Sequence, residues 1–189
     1  MDISRFAFPT QILWPLMLCA AISISQCKVA HKIEPGISKS KTSKPSKPPK
    51  PATGAEISAR KDIVAYAAKY KGSKYTPTGK RPDTGFDCSG FTSYVMDHFD
   101  IDLSPAAREQ VKQGHGKDIR DAQPGDLIFF RRSASEPIFH VSLVKSNDGK
   151  SLYVIHSTTS RGVIEEDVLN SKYWKPYIDS VRDVVSEKF

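Results

Sequence analysis

Cysteine is scarce in this chain, with three in 189 residues, and Cys19 and Cys27 both fall in or just after an apolar N-terminal stretch. If that stretch is removed as an export signal, Cys88 is the only thiol of the folded part. A structural disulfide would then lack a second cysteine. Because a spare thiol in an oxidising compartment tends to be oxidised or mispaired, its presence favours a reactive role for Cys88.

The N-terminal segment, residues 1–27, has little charge. Arg5 is its basic residue near the start, and residues 6–26 carry no charge, a pattern typical of a signal peptide. The end of this segment is similar to a bacterial lipoprotein processing site, which predicts lipidation of Cys27, although Gln26 replaces the usual small residue. Ordinary cleavage nearby and an uncleaved anchor are the alternatives, and the lysines that follow oppose every export reading.

Residues 28–54 lack the apolar residues that a core requires and predict a disordered linker rich in Lys, Pro and Ser. Seven lysines and one glutamate in this stretch carry +6 of the formal charge of +7. The remainder of the chain is therefore close to neutral, and the isoelectric point of 9.3 does not describe a basic domain. This distribution argues against a nucleic-acid partner and favours a solvated tether with weak attraction to anionic lipid or wall polymer.

Residues 55–189 have the length of one domain with one core, and no internal repeat is visible. Apolar spacing of three and four predicts helices in the first half, and alternation predicts strands in the second. The predicted helices are 58–70, 88–99 and 105–113, and the predicted strands are 126–130, 140–145, 151–156 and 178–184. Helices followed by strands indicate an α+β fold in which N-terminal helices pack on an antiparallel sheet.

Cys88 lies where a loop should turn into the helix predicted for residues 88–99. A thiol at a helix N-terminus is close to the positive end of the macrodipole and to unpaired N–H groups, both of which favour thiolate. The polar neighbours Asp87 and Ser89 suit a helix cap better than a sealed core. The alternative is that Cys88 is a small core residue.

Two histidines are predicted to meet across a hairpin. The turn signal Asn147–Gly149 separates two strand-like runs, and pairing Lys145 with Ser151 would place His140 opposite His156. Opposed residues of antiparallel strands have Cβ atoms about 4.5 to 5.5 Å apart on one face. A register slip by one residue would send one ring to the other face. The sequence offers no such partner for the other histidines of the domain, which are His98 and His115.

The combination of a polarised cysteine, a histidine and a polar residue that orients the histidine is the papain-like arrangement. The segments Phe86–Phe91, Gln123–Phe130, His140–Val144 and Ile155–Ser157 together resemble the NlpC-type cell-wall cysteine peptidases. This resemblance implies a papain-like domain in which Cys88 attacks, His140 carries the proton and His156 orients His140. It also implies hydrolysis of an amide in peptidoglycan stem peptides, between γ-D-glutamate and a diamino acid, by a monomer that needs no metal or other cofactor.

By the same resemblance, Tyr75, Asp87 and Ser89 correspond to positions that contact the free amino end of the substrate in some members. Tyr75 could equally be packing, and Ser89 a cap. Residues 76–79 replace the paired glycines of many relatives, and Ser104 replaces a common arginine. These departures put the bond that is cleaved in doubt.

Three alternatives remain open at this point. A papain-like fold could transfer acyl groups or cleave another envelope or secreted substrate, or a silent site could serve wall binding alone. Zinc held by Cys88, His140 and His156 would lack the fourth protein ligand of a structural site.

Overall fold

The computed structural model describes residues 52–189. The predictions for residues 1–27, including lipidation of Cys27, and for residues 28–51 lie outside this range. Within it, no helix has the length and apolar character needed to cross a membrane.

Three α-helices and eight β-strands make up the described part of the chain. The helices are α1 (Gly54–Ala68), α2 (Cys88–Asp97) and α3 (Ala107–Gln110). The strands are β1 (Lys80–Arg81), β2 (Gly85–Phe86), β3 (His115–Lys117), β4 (Leu127–Phe130), β5 (His140–Asn147), β6 (Leu152–Thr158), β7 (Gly162–Asp167) and β8 (Ile178–Asp183). Two 3-10 turns, Ile119–Asp121 and Lys175–Tyr177, complete the set.

The main sheet has six strands in the order β3-β8-β4-β5-β6-β7, and every neighbouring pair is antiparallel. One face carries Leu143 and Ile155, which pack with Ile63 of α1 and Phe91 of α2. The other face carries a second apolar cluster around Trp174. Because both faces are covered, side chains that alternate along β5 and β6 are buried on either side. The predicted α+β class, with helices on an antiparallel sheet, is confirmed.

Helix α1 begins earlier than the sequence predicts. The hydroxyl of Thr53 accepts a hydrogen bond from the backbone N–H of Glu56 at 3.1 Å and so caps the helix. Ser58, the first residue of the predicted helix, lies exposed inside α1. Thr53 and Glu56 have the spacing of a capping box, a local signal that identifies this helix start better than Ser58 does.

The register of the β5–β6 hairpin also differs from the prediction. Leu143 pairs with Ile155, and a bulge separates this register from the pairing of Asn147 with Leu152 at the tip. Continued along the strands, the first register places His156 opposite Ser142, two residues from the predicted partner His140. Because the offset is even, both imidazoles still lie on one face of the sheet.

Candidate active site

Cys88 is the first residue of α2, as the sequence predicts for a capped thiol. Asp87 is the N-cap, and its carboxylate accepts a hydrogen bond from the backbone N–H of Gly90 at 2.6 Å. The carbonyl of Gly79 accepts from the Asp87 N–H at 2.9 Å and lies so close to Gly90 that a Cβ there would be 2.0 Å from it. Glycine at position 90 thus lets the preceding loop press against the turn that presents the thiol.

The protonation of Cys88 differs from the expectation drawn from the helix dipole. Burial raises the pKa of the half-buried Cys88 thiol, and the charge of Asp87 adds to this effect. Backbone N–H groups of Val141, Ser89 and Cys88 itself lower the pKa of the thiol, but less than burial raises it. Removal of the sulfur from water therefore outweighs the helix N-terminus and favours the thiol over the thiolate.

His140 and His156 contact each other on the face of the sheet that holds Trp174. Nε2 of His140 lies 3.0 Å from Nδ1 of His156, and Oγ of Ser142 lies 2.9 Å from the same Nδ1. His156 is fully buried, and His140 is 6% exposed. The predicted meeting of the two imidazoles is therefore present, by a diagonal contact rather than a directly opposed one.

Burial keeps both imidazoles neutral. It holds the pKa of His140 well below the usual 6.5, and His156 lowers it further. Burial also lowers the pKa of His156 to about 4, although the charge of Glu166 opposes this. Trp174 covers the pair, since its ring stacks on His140 at 4.5 Å between centroids and lies 5.1 Å from His156. A water-poor environment of this kind strengthens the hydrogen bond between the two rings.

Cys88 and His140 line one cleft of about 550 Å³. Tyr75 lies on its wall, together with Arg132, Arg161 and Glu166 among other side chains. His156 contacts His140 and does not itself line the cleft. The cleft thus brings a thiol and an imidazole to a surface that a peptide could reach.

The strand that carries His156 is joined directly to the segment before Cys88. The hydroxyl of Ser157, the residue after His156, donates to the carbonyl of Phe86 at 2.8 Å. A β-bridge between Tyr75, which lies on the wall of the cleft, and Phe86 connects that wall to the same segment.

The other predicted site residues fall in different environments. Tyr75 lines the cleft, whereas Asp87 and Ser89 are occupied in the cap: the Ser89 hydroxyl lies 3.2 Å from the Asp87 carboxylate and donates to the Pro105 carbonyl at 3.0 Å. His98 stacks on an aromatic side chain of α1, and His115 is exposed on β3 next to Glu187. Neither of these two histidines lines the cleft.

Sequence reasoning missed Ser142, Trp174 and Glu166. Alternation along β5 could have identified Ser142, which is two residues from His140 and therefore on its face. Strand β7, which carries Glu166, was not predicted because its last three residues are acidic and its first residue is a glycine. Trp174 lies in a loop and carries no local signal of its position.

The fold and this arrangement of side chains define a papain-like α+β domain with a cysteine and two histidines at its cleft. The chain belongs to the NlpC/P60 family, whose model matches residues 72–183. A crystal structure of an NlpC/P60 family protein from Bacillus cereus ATCC 10987 superposes with a TM-score of 0.61 and 27% identity, covering 72% of this chain and 41% of that one.

Relatives of this chain carry hydrolase and peptidase names. Gamma-DL-glutamyl hydrolase of Bacillus subtilis (strain 168) is 32% identical over 130 residues, which cover 66% of this chain and 30% of that protein. Probable endopeptidase NlpC of Escherichia coli (strain K12) is 35% identical over 92 residues, which cover 48% of this chain and 56% of the relative. The chain thus spans less than two thirds of the length of either relative.

Proposed function

We propose that this protein hydrolyses an amide bond in peptidoglycan stem peptides, between γ-D-glutamate and the following diamino acid, with Cys88 as nucleophile. The observation that carries the proposal is the 3.0 Å contact between Nε2 of His140 and Nδ1 of His156 behind a cleft that also contains the Cys88 thiol. The names of the relatives from B. subtilis and E. coli support the choice of reaction and substrate.

In the proposed reaction, Nδ1 of His140 takes the thiol proton as the sulfur of Cys88 attacks the scissile carbonyl. The backbone N–H of Cys88 is placed to donate to the oxyanion because it lies at the start of α2. When the tetrahedral intermediate collapses, His140 returns the proton to the leaving amine and a thioester remains. His140 then deprotonates water, which hydrolyses the thioester and restores the thiol.

The neutral state of the free protein shapes this mechanism. Because burial disfavours both thiolate and imidazolium, proton transfer from Cys88 to His140 accompanies attack instead of preceding it. The charge that develops on His140 is stabilised through His156, which accepts a hydrogen bond at Nδ1 and is in contact with no bulk water.

The cleft offers contacts for a peptide that carries carboxylates. Arg132 lines it and supplies positive charge, and Tyr75 lies on its wall. Arg161 also lines the cleft, but its guanidinium is paired with Glu166 at 2.6 Å. We assign Tyr75 to substrate binding on this basis. Asp87 and Ser89 have less support as substrate contacts, because their hydrogen bonds within the cap favour a role in positioning Cys88.

The proposed substrate requires export to the cell envelope, and the signal-like residues 1–27 support that location. Lipidation of Cys27 would then hold the enzyme at a membrane through the lysine-rich residues 28–51. Growth of cells with a clickable fatty acid tests the anchor, with Cys27→Ser as the control. Failure of the parent chain to label, or equal labelling of the variant, would remove the lipoprotein proposal.

The catalytic proposal is tested on purified peptidoglycan with products identified by mass spectrometry. Cys88→Ala and His140→Ala should abolish release of stem-peptide fragments, while His115→Ala, which changes an exposed histidine outside the cleft, should leave it unchanged. Fragments with new γ-D-glutamyl carboxyl ends identify the bond. Digestion by Cys88→Ala at the rate of the parent would refute the peptidase assignment.

A further inference from the structure

His156 has one ring nitrogen without a hydrogen-bond partner among residues 52–189. This atom, Nε2, is buried, whereas Nδ1 contacts His140 and Ser142. The carboxylate of Glu166 lies close to this atom, with Oε2 3.6 Å from Nε2. A buried polar nitrogen that has a carboxylate beside it but no hydrogen bond calls for a functional explanation.

The proposed chemistry fixes where each imidazole must carry its proton. For His140 to accept the thiol proton at Nδ1, its own hydrogen must be on Nε2. That hydrogen then points at Nδ1 of His156, which must be unprotonated to accept it. Neutral His156 therefore has to carry its hydrogen on Nε2, the nitrogen that faces Glu166.

The opposite tautomer of His156 would disable the base. With a proton on Nδ1, His156 would donate its one hydrogen there to His140 Nε2 or to the Ser142 hydroxyl. His140 would then carry its hydrogen on Nδ1 and could not accept one from Cys88. Ser142 does not decide between the two states, because a hydroxyl can donate or accept.

Glu166 is held in a position from which it can favour one tautomer of His156. It lies on β7 opposite Val154, while His156 lies opposite Ile164, so the carboxylate and the imidazole share one face of the sheet. Its Oε2 accepts from the indole N–H of Trp174 at 3.1 Å and from Arg161 at 2.6 Å. The side chain is 22% exposed and therefore only partly screened by water.

We propose that Glu166 is a positioning residue that keeps the proton of His156 on Nε2 and so leaves Nδ1 of His140 free to act as the base. This inference builds on the proposed function. The charge of Glu166 also acts through His156 to stabilise the imidazolium that forms on His140 during the reaction.

Three charged or titratable groups face His156 from the elements around it. They are His140 from β5, Glu166 from β7 and Arg161 from the turn between β6 and β7. Glu166 raises the pKa of His156 and Arg161 lowers it, while burial has the largest effect. Loss of the carboxylate therefore removes the one group that favours the charged imidazole and leaves Arg161 without its partner.

The test compares Glu166→Leu with Glu165→Leu in the full chain. Glu165 is the matched control because it is adjacent on β7 but on the opposite face, where it pairs with Lys145 and Lys71. Long-range ¹H–¹⁵N NMR spectra of protein labelled in its histidines report which nitrogen of His156 is protonated. We expect Nε2–H in the parent and in Glu165→Leu, and Nδ1–H to become populated in Glu166→Leu.

Kinetics supply the second readout. Glu166→Leu should lower kcat about 10- to 100-fold relative to Glu165→Leu, because the residue orients a base. Glu166→Gln, which keeps an oxygen acceptor but not the charge, should retain the Nε2–H tautomer. In that variant the acidic limb of kcat/KM should move to lower pH, since the protonated imidazole loses its counter-charge.

The outcomes separate this inference from the proposed function. If the parent chain releases no stem-peptide fragments, the proposed function fails, yet the NMR comparison still decides the role of Glu166 because it needs no substrate. If His156 keeps Nε2–H in Glu166→Leu, the inference is overturned. If the acidic limb of the kcat/KM profile does not move in Glu166→Gln, the claim that the charge of Glu166 stabilises the imidazolium is overturned.

Discussion

Replacing Arg60 with methionine should destabilise the domain through one buried ionic network. The guanidinium is 4% exposed and donates at 2.8 Å to each of three carboxylates, those of Glu56, Asp126 and Asp183, and at 3.0 Å to the Pro124 carbonyl. Asp126 is fully buried, and burial raises its pKa. Without Arg60, Lys117 is left as the one cation that pairs with both aspartates.

The loss of stability in Arg60→Met depends on the partners that the aspartates keep. Removing one partner of a buried ion pair costs about 3 to 5 kcal/mol. Asp126 keeps Lys117 and the Gln123 N–H, and Asp183 keeps Lys117 and two backbone N–H groups. Because these contacts survive, we expect the lower end, about 3 kcal/mol of unfolding free energy at pH 7.

Urea denaturation of Arg60→Met measures this loss, with Arg120→Met as the control. Arg120 pairs with Asp118 on the surface and its side chain is 83% exposed, so its removal should leave stability nearly unchanged. The difference between Arg60→Met and the parent should shrink as the pH falls and the carboxylates become protonated. A loss below about 1 kcal/mol at pH 7, or one that does not depend on pH, would refute the reasoning.

Two further predictions concern the site. Burial lowers the pKa of His156 from 6.5 to about 4. Between pH 6.5 and pH 4 the unfolded chain therefore binds more protons at this residue than the folded chain does. The stability that the neutral ring contributes is complete above pH 6.5 and is lost as the pH falls through 4. Urea denaturation should show a loss of about 3 kcal/mol over this range that His156→Gln removes, and an unchanged slope in the variant would contradict it. Gly90→Ala should displace the Gly79 carbonyl and lower the free energy of unfolding by about 1 to 3 kcal/mol. It should also reduce the rate at which a thiol reagent labels Cys88 in the folded protein. Alanine at the open position Gly54 is the control, and equal stability of the two variants would exclude the clash.

The meeting of the two histidines could be predicted because it depends on parity more than on register. The sequence shows a turn at Asn147–Gly149 and apolar strands around it, but not the bulge between Val144 and Ser146. The bulge follows from pairing and twist that no local pattern encodes. The error in register was two residues, so His140 and His156 stayed on one face.

The electrostatics of the site were harder to predict. A capped helix start is visible in Asp87–Gly90, and the structure confirms the cap. The pKa of Cys88 instead depends on how much water the rest of the fold excludes, which requires the packed structure. For the same reason the cover provided by Trp174, which lies more than 80 residues further along the chain, could not be foreseen from the motif.

The hydrogen bond from Ser157 to Phe86 has a consequence for the proposed reaction. It connects the turn before Cys88 to the strand that carries His156, so these two parts of the site are tied together in the free protein. Folding then supplies part of the alignment that the reaction needs before a peptide binds. For the proposed hydrolase, we therefore expect the timing of cleavage to depend on the delivery of wall strands to the protein and not on a rearrangement within it.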